Sequence, residues 1–281
     1  MLEGKLLRPL RKSGEAVRPI AALGLILAVT SSAAAHETWL LPDQFRVAAG
    51  KSVQLELTSG MEFPSPESAV KPERVRRARV RLAGKTFDLP KPASGAKALY
   101  YDATLPSAGT AVVSIELEPR SIELNEKQVE HYFEEIGASE SVRKAWADAP
   151  KPRRFREVYT KHAKTIIQVG DAADDATWSA PAGLKLELVP VSHPLRLKAG
   201  DELKLKVLRD GKPFAGFRVG VQDEKGKRGE FATSDAGGLV TVKPVVPGRC
   251  LIFGTDLRSP AQPGETWTSD FTTLTLLVSG K

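Results

Sequence analysis

Residues 201–242 read DELKLKVLRDGKPFAGFRVGVQDEKGKRGEFATSDAGGLVTV, and the reading of this stretch decides the fold. It has a strand-turn-strand rhythm. The turns are Asp210-Gly211, Lys225-Gly226 and Asp235-Ala236-Gly237-Gly238, which supply the positive-φ or tight-turn residues that hairpins and arches require. Working outward, LKLELVPV (184–191) precedes it, and Pro247-Gly248 and TLTLLV (273–278) continue the same alternation of turn and strand. Residues 184–281 are expected to form an immunoglobulin- or transthyretin-like β-sandwich.

Upstream lies DAADDATWSAPAG (171–183), acidic, rich in small residues and ending in Pro and Gly, which reads as a linker. Residues 36–170 read as a first β-sandwich. In VQLEL the apolar Val53, Leu55 and Leu57 alternate with polar residues. RVRRARVRLAGKTFDLP (74–90) places Ala78, Val80 and Leu82 on one side and Arg77, Arg79 and Arg81 on the other, with a turn at Ala83-Gly84-Lys85. ALYYDATLPSAGTAVVSIELEP (98–119) adds two strands around a Ser-Ala-Gly turn. From Leu124 the period changes. Val129, Tyr132, Phe133 and Ile136 recur at helical spacing, Asn125 and Gln128 make a capping-box pattern, and Gly137 ends the helix. A second helix is expected over Ser139–Ala147. Residues 121–170 thus form an insertion, helical to about residue 150, that returns through the polar RFREVYTKHAK to the strand TIIQV and closes on the first sandwich. The fold class is mainly β, with two β-sandwich domains and a small helical insertion.

The first 35 residues differ from the rest. Lys5, Arg8, Arg11, Lys12 and Arg18 precede the apolar AALGLILAV (21–29), and TSSAAA ends in small residues at Ala33 and Ala35. That order predicts a secretory signal peptide over 1–35, cleaved to leave His36 first, and hence a periplasmic protein. Cleavage removes five bases and two acids and leaves +4 of the formal +7 charge. No later segment is apolar for long enough to span a bilayer, so the processed chain is expected to be soluble. The single cysteine, Cys250, makes no intrachain disulfide and sits in the apolar run CLIF, where it reads as a small buried hydrophobe.

AHETWLLP with FRVAAGKSVQLEL, REVYTKHAKTIIQVG, LKLELVPVSHPLRLKAGDELKLKVLRDGKPFAGFRVGV with TSDAGGLVTVKPVVPGRCLIF, and SDFTTLTLLV together resemble the bacterial DUF4198 family over nearly the whole mature chain. Members are described as periplasmic components of nickel or cobalt uptake, of the NikM type. The resemblance implies an accessory role in transition-metal uptake or handling beside a membrane permease that this chain does not contain. His36, Trp39, Leu40 and Pro42 fit the family pattern, as do Arg156, Tyr159, Ala163 and Lys164, whereas His131, His162 and His193 depart from it.

The chemistry centres on His36. Once cleavage frees its α-amine, that amine and the imidazole Nδ1 can close a chelate ring on nickel, cobalt or copper, with copper the tightest. A third donor is expected from His131, His162, His193 or Glu37. Each also has a plainer reading: His36 as a residue left first by the cleavage site, His131 on a solvated helix face with Glu130, Glu134 and Glu135, His162 in the positive field of Lys161 and Lys164, and His193 as a loop residue in a Ser-His-Pro turn. No nucleophile elbow, phosphate loop or HExxH is present, so an enzyme is not expected. The basic run RRARVR reads as a charged sandwich face and not as a nucleic-acid surface. The alternative to metal binding is an envelope interaction module that engages a protein or polysaccharide.

Overall fold

The computed structural model describes Met1 and residues 36–171, 175–262 and 264–281. The expected signal segment beyond Met1, with its cleavage point after Ala35, lies outside the described residues, as do 172–174 of the expected linker. Strands β1 (Glu37–Pro42), β2 (Arg46–Val47), β3 (Lys51–Gly60) and β4 (Ser68–Ala69) lead into β5 (Val75–Leu82), β6 (Lys85–Asp88), β7 (Ala93–Ser94), β8 (Leu99–Leu105), β9 (Gly109–Leu117) and β10 (Arg120–Leu124). Helices α1 (Glu126–Glu135) and α2 (Glu140–Ala147) precede the long strand β11 (Phe155–Val169). The rest is β12 (Leu186–Pro190), β13 (Leu203–Arg209), β14 (Lys212–Pro213), β15 (Arg218–Asp223), β16 (Ala232–Thr233), β17 (Leu239–Val242), β18 (Gly248–Arg258) and β19 (Trp267–Val278). The protein is mainly β, with sandwich packing and a small helical insertion.

The strands expected for the two sandwiches meet in one ten-stranded sheet, ordered β16-β15-β18-β19-β11-β9-β5-β6, with β10 and β2 also paired to β11. The join is a parallel ladder between β11 and β19, running from Glu157 opposite Trp267 to Thr165 opposite Thr275. A five-stranded sheet containing β1, β3 and β8 packs on one face through Val53, Leu55 and Leu57, against Val80, Val113, Ile115 and Ile167. A four-stranded sheet containing β12, β13 and β17 packs on the other through Leu188, Leu205 and Val240, against Ile166, Ile252 and Leu274. Ile166 and Ile167, neighbours in the chain, therefore belong to different cores, as the two-residue period of a strand dictates. The second core also takes Val112 and Ile166 from strands ahead of residue 171. Each fully buried Leu or Ile in the two cores stabilises the fold by about 1.5–3 kcal/mol relative to exposure.

Local signals match the sequence closely. The Asn125 side chain accepts from Gln128 N, the Gln128 side chain accepts from Asn125 N, and Gly137 takes φ +60° beyond the helix end. Ala83 and Gly84, both at positive φ, form the two-residue turn that pairs Leu82 with Lys85. Two expectations are corrected. The helices pack onto both halves: Phe133, Tyr132 and Trp146 share a core with Phe155 and Tyr159 of β11 and with Leu257, Trp267 and Phe271 of β18 and β19. The polar stretch 155–164 is more than a passage into the strand TIIQV. It is part of β11, which is buried without interruption from Lys161 to Ile167 because layers cover the central sheet on both sides. No helix among the described residues is long and apolar enough to cross a membrane.

Candidate functional site

The period of β11 sorts its charged residues onto two faces, and each face carries a buried polar cluster. On the face shared with β1 and the helices stand Glu157 and Lys161. Glu157 accepts from the Tyr132 hydroxyl at 2.8 Å and from Ser269 Oγ of β19. Burial pushes its carboxyl up, against the pull of those two bonds. The Lys161 ammonium donates to the His36 carbonyl and lies over the Tyr159 and Phe271 rings, 5.3 and 5.2 Å from their centroids. Beside it Glu37, the first residue of β1, is 1% exposed, and neither carboxylate oxygen has a hydrogen-bond partner among the described residues. Burial raises Glu37 to about 7 and lowers Lys161 to about 8, in each case more than the opposite charge nearby restores.

His36 stands at the head of this cluster. The residue after it enters the β1–β3 ladder opposite Gly60, and its own carbonyl is held by Lys161. The imidazole is half-buried. Desolvation first, then the charge of Lys161, lowers its pKa, while Glu67 raises it.

On the opposite face of β11, His162 is 1% exposed and its Nε2 lies 3.5 Å from Asp270 Oδ1 of β19. The positive field expected from Lys161 and Lys164 is thus answered by a buried carboxylate that only the parallel join brings near. Asp270 Oδ2 also takes Arg258 Nη2 at 2.7 Å and Lys185 Nζ at 2.9 Å. Burial pushes Asp270 up, but the bonds from His162 and Lys185 and the charge of Arg258 hold it well below the carboxylate range. Lys164 on the same face donates to Glu187 of β12 at 2.7 Å. Glu187 also accepts from the amides of Ala182, Gly183 and Leu184 at 2.7, 3.0 and 3.2 Å.

The remaining candidates stand apart. His131 is exposed on α1, its Nε2 2.9 Å from Glu135 Oε1 one turn on. His193 precedes a short 3₁₀ turn at Pro194–Arg196, and its ring lies 5.0 Å from that of Trp178. Among the described residues no group of three or more His, Cys, Asp or Glu comes together to hold a metal. In a chain cleaved before it, His36 would supply two donors by itself.

Sequence reasoning missed Glu157, Tyr132, Asp270 and Glu187. A weak signal was available at Glu37 and Lys164, each a charge inside or beside an apolar strand run. The basic face of β5 is also not simply solvated: Arg77 donates to the Gly183 carbonyl at 2.8 Å, and Arg81 donates to Pro181 at 2.7 Å and to Ala180.

Among solved structures, the chain resembles the Yersinia pseudotuberculosis adhesin InvE, with 14% identity over 84% of this chain and 58% of that one, at a TM-score of 0.23. It also resembles a mutant Salmonella alpha-2-macroglobulin, with 11% identity over 86% of this chain and 16% of that one, TM-score 0.22. A third is an Escherichia coli alpha-2-macroglobulin fragment spanning domains MG0-NIE-MG1, with 13% identity over 85% and 95% of the two chains, TM-score 0.22. The chain therefore spans less than two thirds of the first two, and likeness at these TM-scores carries no argument. No curated protein matches the sequence. A family model described as a domain of unknown function, DUF4198, matches residues 33–253. Matched over most of its length, the chain belongs to the DUF4198 family.

Proposed function

We propose that the protein is an exported, periplasmic accessory protein that binds a transition-metal cation, nickel, cobalt or copper, through His36. The finer reading, a role beside a permease in metal uptake, comes from the resemblance to NikM-type components. One observation carries the site. His36 is held at the head of β1 by the Lys161 bond to its carbonyl and by the ladder that starts at the next residue. A mature chain starting there offers an α-amine and an imidazole from a fixed point, which lowers the ordering cost of chelation. Desolvation favours the neutral imidazole, the form that binds metal. Two nitrogen donors of this kind favour copper over nickel and cobalt.

The test is calorimetric titration of the secreted protein, its N-terminus first fixed by mass, with Ni²⁺ and with Cu²⁺. His36→Ala, and a chain with one alanine added ahead of His36 so that the amine is moved away, should each weaken binding by at least about tenfold, the loss of one strong donor. Full affinity in both variants overturns the reading. A second reading, an envelope interaction module that needs no metal, is supported by a basic groove beside β5.

A further inference from the structure

A groove of about 780 Å³ runs between β5, the segment 88–92 and the turns at 183–185 and 210–211. Its volume lies within the range of small-ligand sites, about 300–1,000 Å³. Five cations line it: Arg76, Arg77, Arg79, Lys91 and Lys185. Four of the five have an acidic partner, Lys185 in Asp270 at 2.9 Å, and the Asp210 carboxylate also lines the groove. One carboxylate, Glu116, serves both Arg76 at 3.3 Å and Arg77 at 2.9 Å. Arg79 pairs with Asp88, whose side chain is 79% exposed, so solvent screens that bridge and an incoming anion can replace it. Lys91 is exposed and has no acidic partner among the described residues.

The floor supplies the second observation. Tyr101 of β8 lines the groove although its ring belongs to the core and the residue is only 1% exposed. Its hydroxyl has no hydrogen-bond partner among the described residues. Burying a hydroxyl without a partner is costly, and a ligand oxygen placed above it removes that cost. Burial pushes the phenol up to about 12, so it remains a donor across the physiological range.

The walls limit the kind of ligand. Pro72, Pro90 and Pro92 present apolar faces and have no N–H to pair with a peptide strand. The donors offered are side-chain guanidinium, ammonium and phenol groups, and guanidinium forks match carboxylates in geometry as well as charge.

We propose that this groove binds an acidic glycan, a chain of sugars bearing carboxylates, with the carboxylates on Arg76 and Lys91 and a ligand oxygen accepting from Tyr101. The site is independent of His36, and neither reading depends on the other. Calorimetric titration of the processed protein uses oligogalacturonate as the probe, with a neutral malto-oligosaccharide and inorganic polyphosphate as the other arms. Binding of oligogalacturonate alone, weakened by added salt, is the expected result. Arg76→Ala with Lys91→Ala, both at exposed positions, should weaken it at least about tenfold and flatten its salt dependence. Tyr101→Phe should weaken it by about tenfold with a melting temperature equal to or above wild type, since the lost hydroxyl is buried and bonds nothing in the free protein. No binding at millimolar probe, equal binding of the neutral sugar, tighter binding of polyphosphate, or a Tyr101→Phe protein of full affinity would each overturn the proposal.

Discussion

Glu187 accepts four hydrogen bonds, and replacing it with glutamine sets them against one another. The side chain is 1% exposed and accepts from Lys164 and from three successive amides of the segment that leads into β12. Burial alone pushes its pKa up, yet Lys164 and the amides bring it below its ordinary value. Lys164 is lowered by burial more than Glu187 restores. The lysine's shift makes the pair a net cost and the glutamate's makes it a net gain. The glutamate decides, because its three amide bonds persist when the lysine is gone.

Glu187→Gln keeps the size, turns an NH₂ toward a ring of donors and leaves Lys164 buried without its counter-charge. Losing one partner of a buried pair costs about 3–5 kcal/mol. At about 2–4 °C per kcal/mol for a chain of this size, the melting temperature should fall by roughly 6–20 °C. Lys164→Met removes a buried charge and leaves the carboxylate bonded, so it should cost less than about 2 kcal/mol. Since the folded pKa of Glu187 lies below its unfolded value of about 4.3, its contribution is complete above that pH and disappears as pH falls through the folded pKa. Wild type should therefore lose this increment in acid, and Glu187→Gln should not. Urea unfolding followed by circular dichroism at neutral and acid pH measures both effects. A Glu187→Gln cost under about 1 kcal/mol, or a larger cost for Lys164→Met, refutes the reasoning.

Ile166→Ala and Ile167→Ala, both fully buried but in opposite cores, should each cost about 2–5 kcal/mol and shift one common urea transition; two separate transitions would mean that the halves unfold independently. Cys250, 2% exposed and with its thiol pushed up to about 12, should resist iodoacetamide in the native protein and react on unfolding, as mass spectrometry reads directly. Glu37→Leu combined with Lys161→Met should leave the unfolding midpoint equal to wild type or above it, because apolar packing can replace a buried charge cluster without loss. A midpoint several degrees lower would show that the cluster stabilises the fold outright.

What the sequence revealed was whatever its residues settle with near neighbours. The alternation at Val53, Leu55 and Leu57 puts all three in the core, and Asn125 and Gln128 cap α1 reciprocally, because strand period and capping geometry span only a few residues. What it concealed depends on distant partners. Nothing near His162 announces Asp270, 108 residues on, and nothing in RVRRARVRL announces that Arg77 and Arg81 grip carbonyls about a hundred residues away. The polar composition of 155–164 argued against a buried strand, and it misled because Glu157, Lys161, His162 and Lys164 each find an oppositely charged or polar partner only once β19, β12 and β1 have assembled around β11.

The position of these charges bears on how the candidate site is held. A buried ion cluster adds little net stability, so its concentration along β11 and β19 is better understood through register. A slip of β11 by one residue would turn every side chain to the other face, taking Lys164 from Glu187, Lys161 from the His36 carbonyl and Glu157 from Tyr132 and Ser269. An apolar strand could slip at far lower cost. The charges therefore penalise alternative registers along the parallel ladder that fuses the two halves. The same lysine that sets the register on the first face clamps the His36 carbonyl. Lys161 thus contributes both to how the sheet is joined and to where His36 stands.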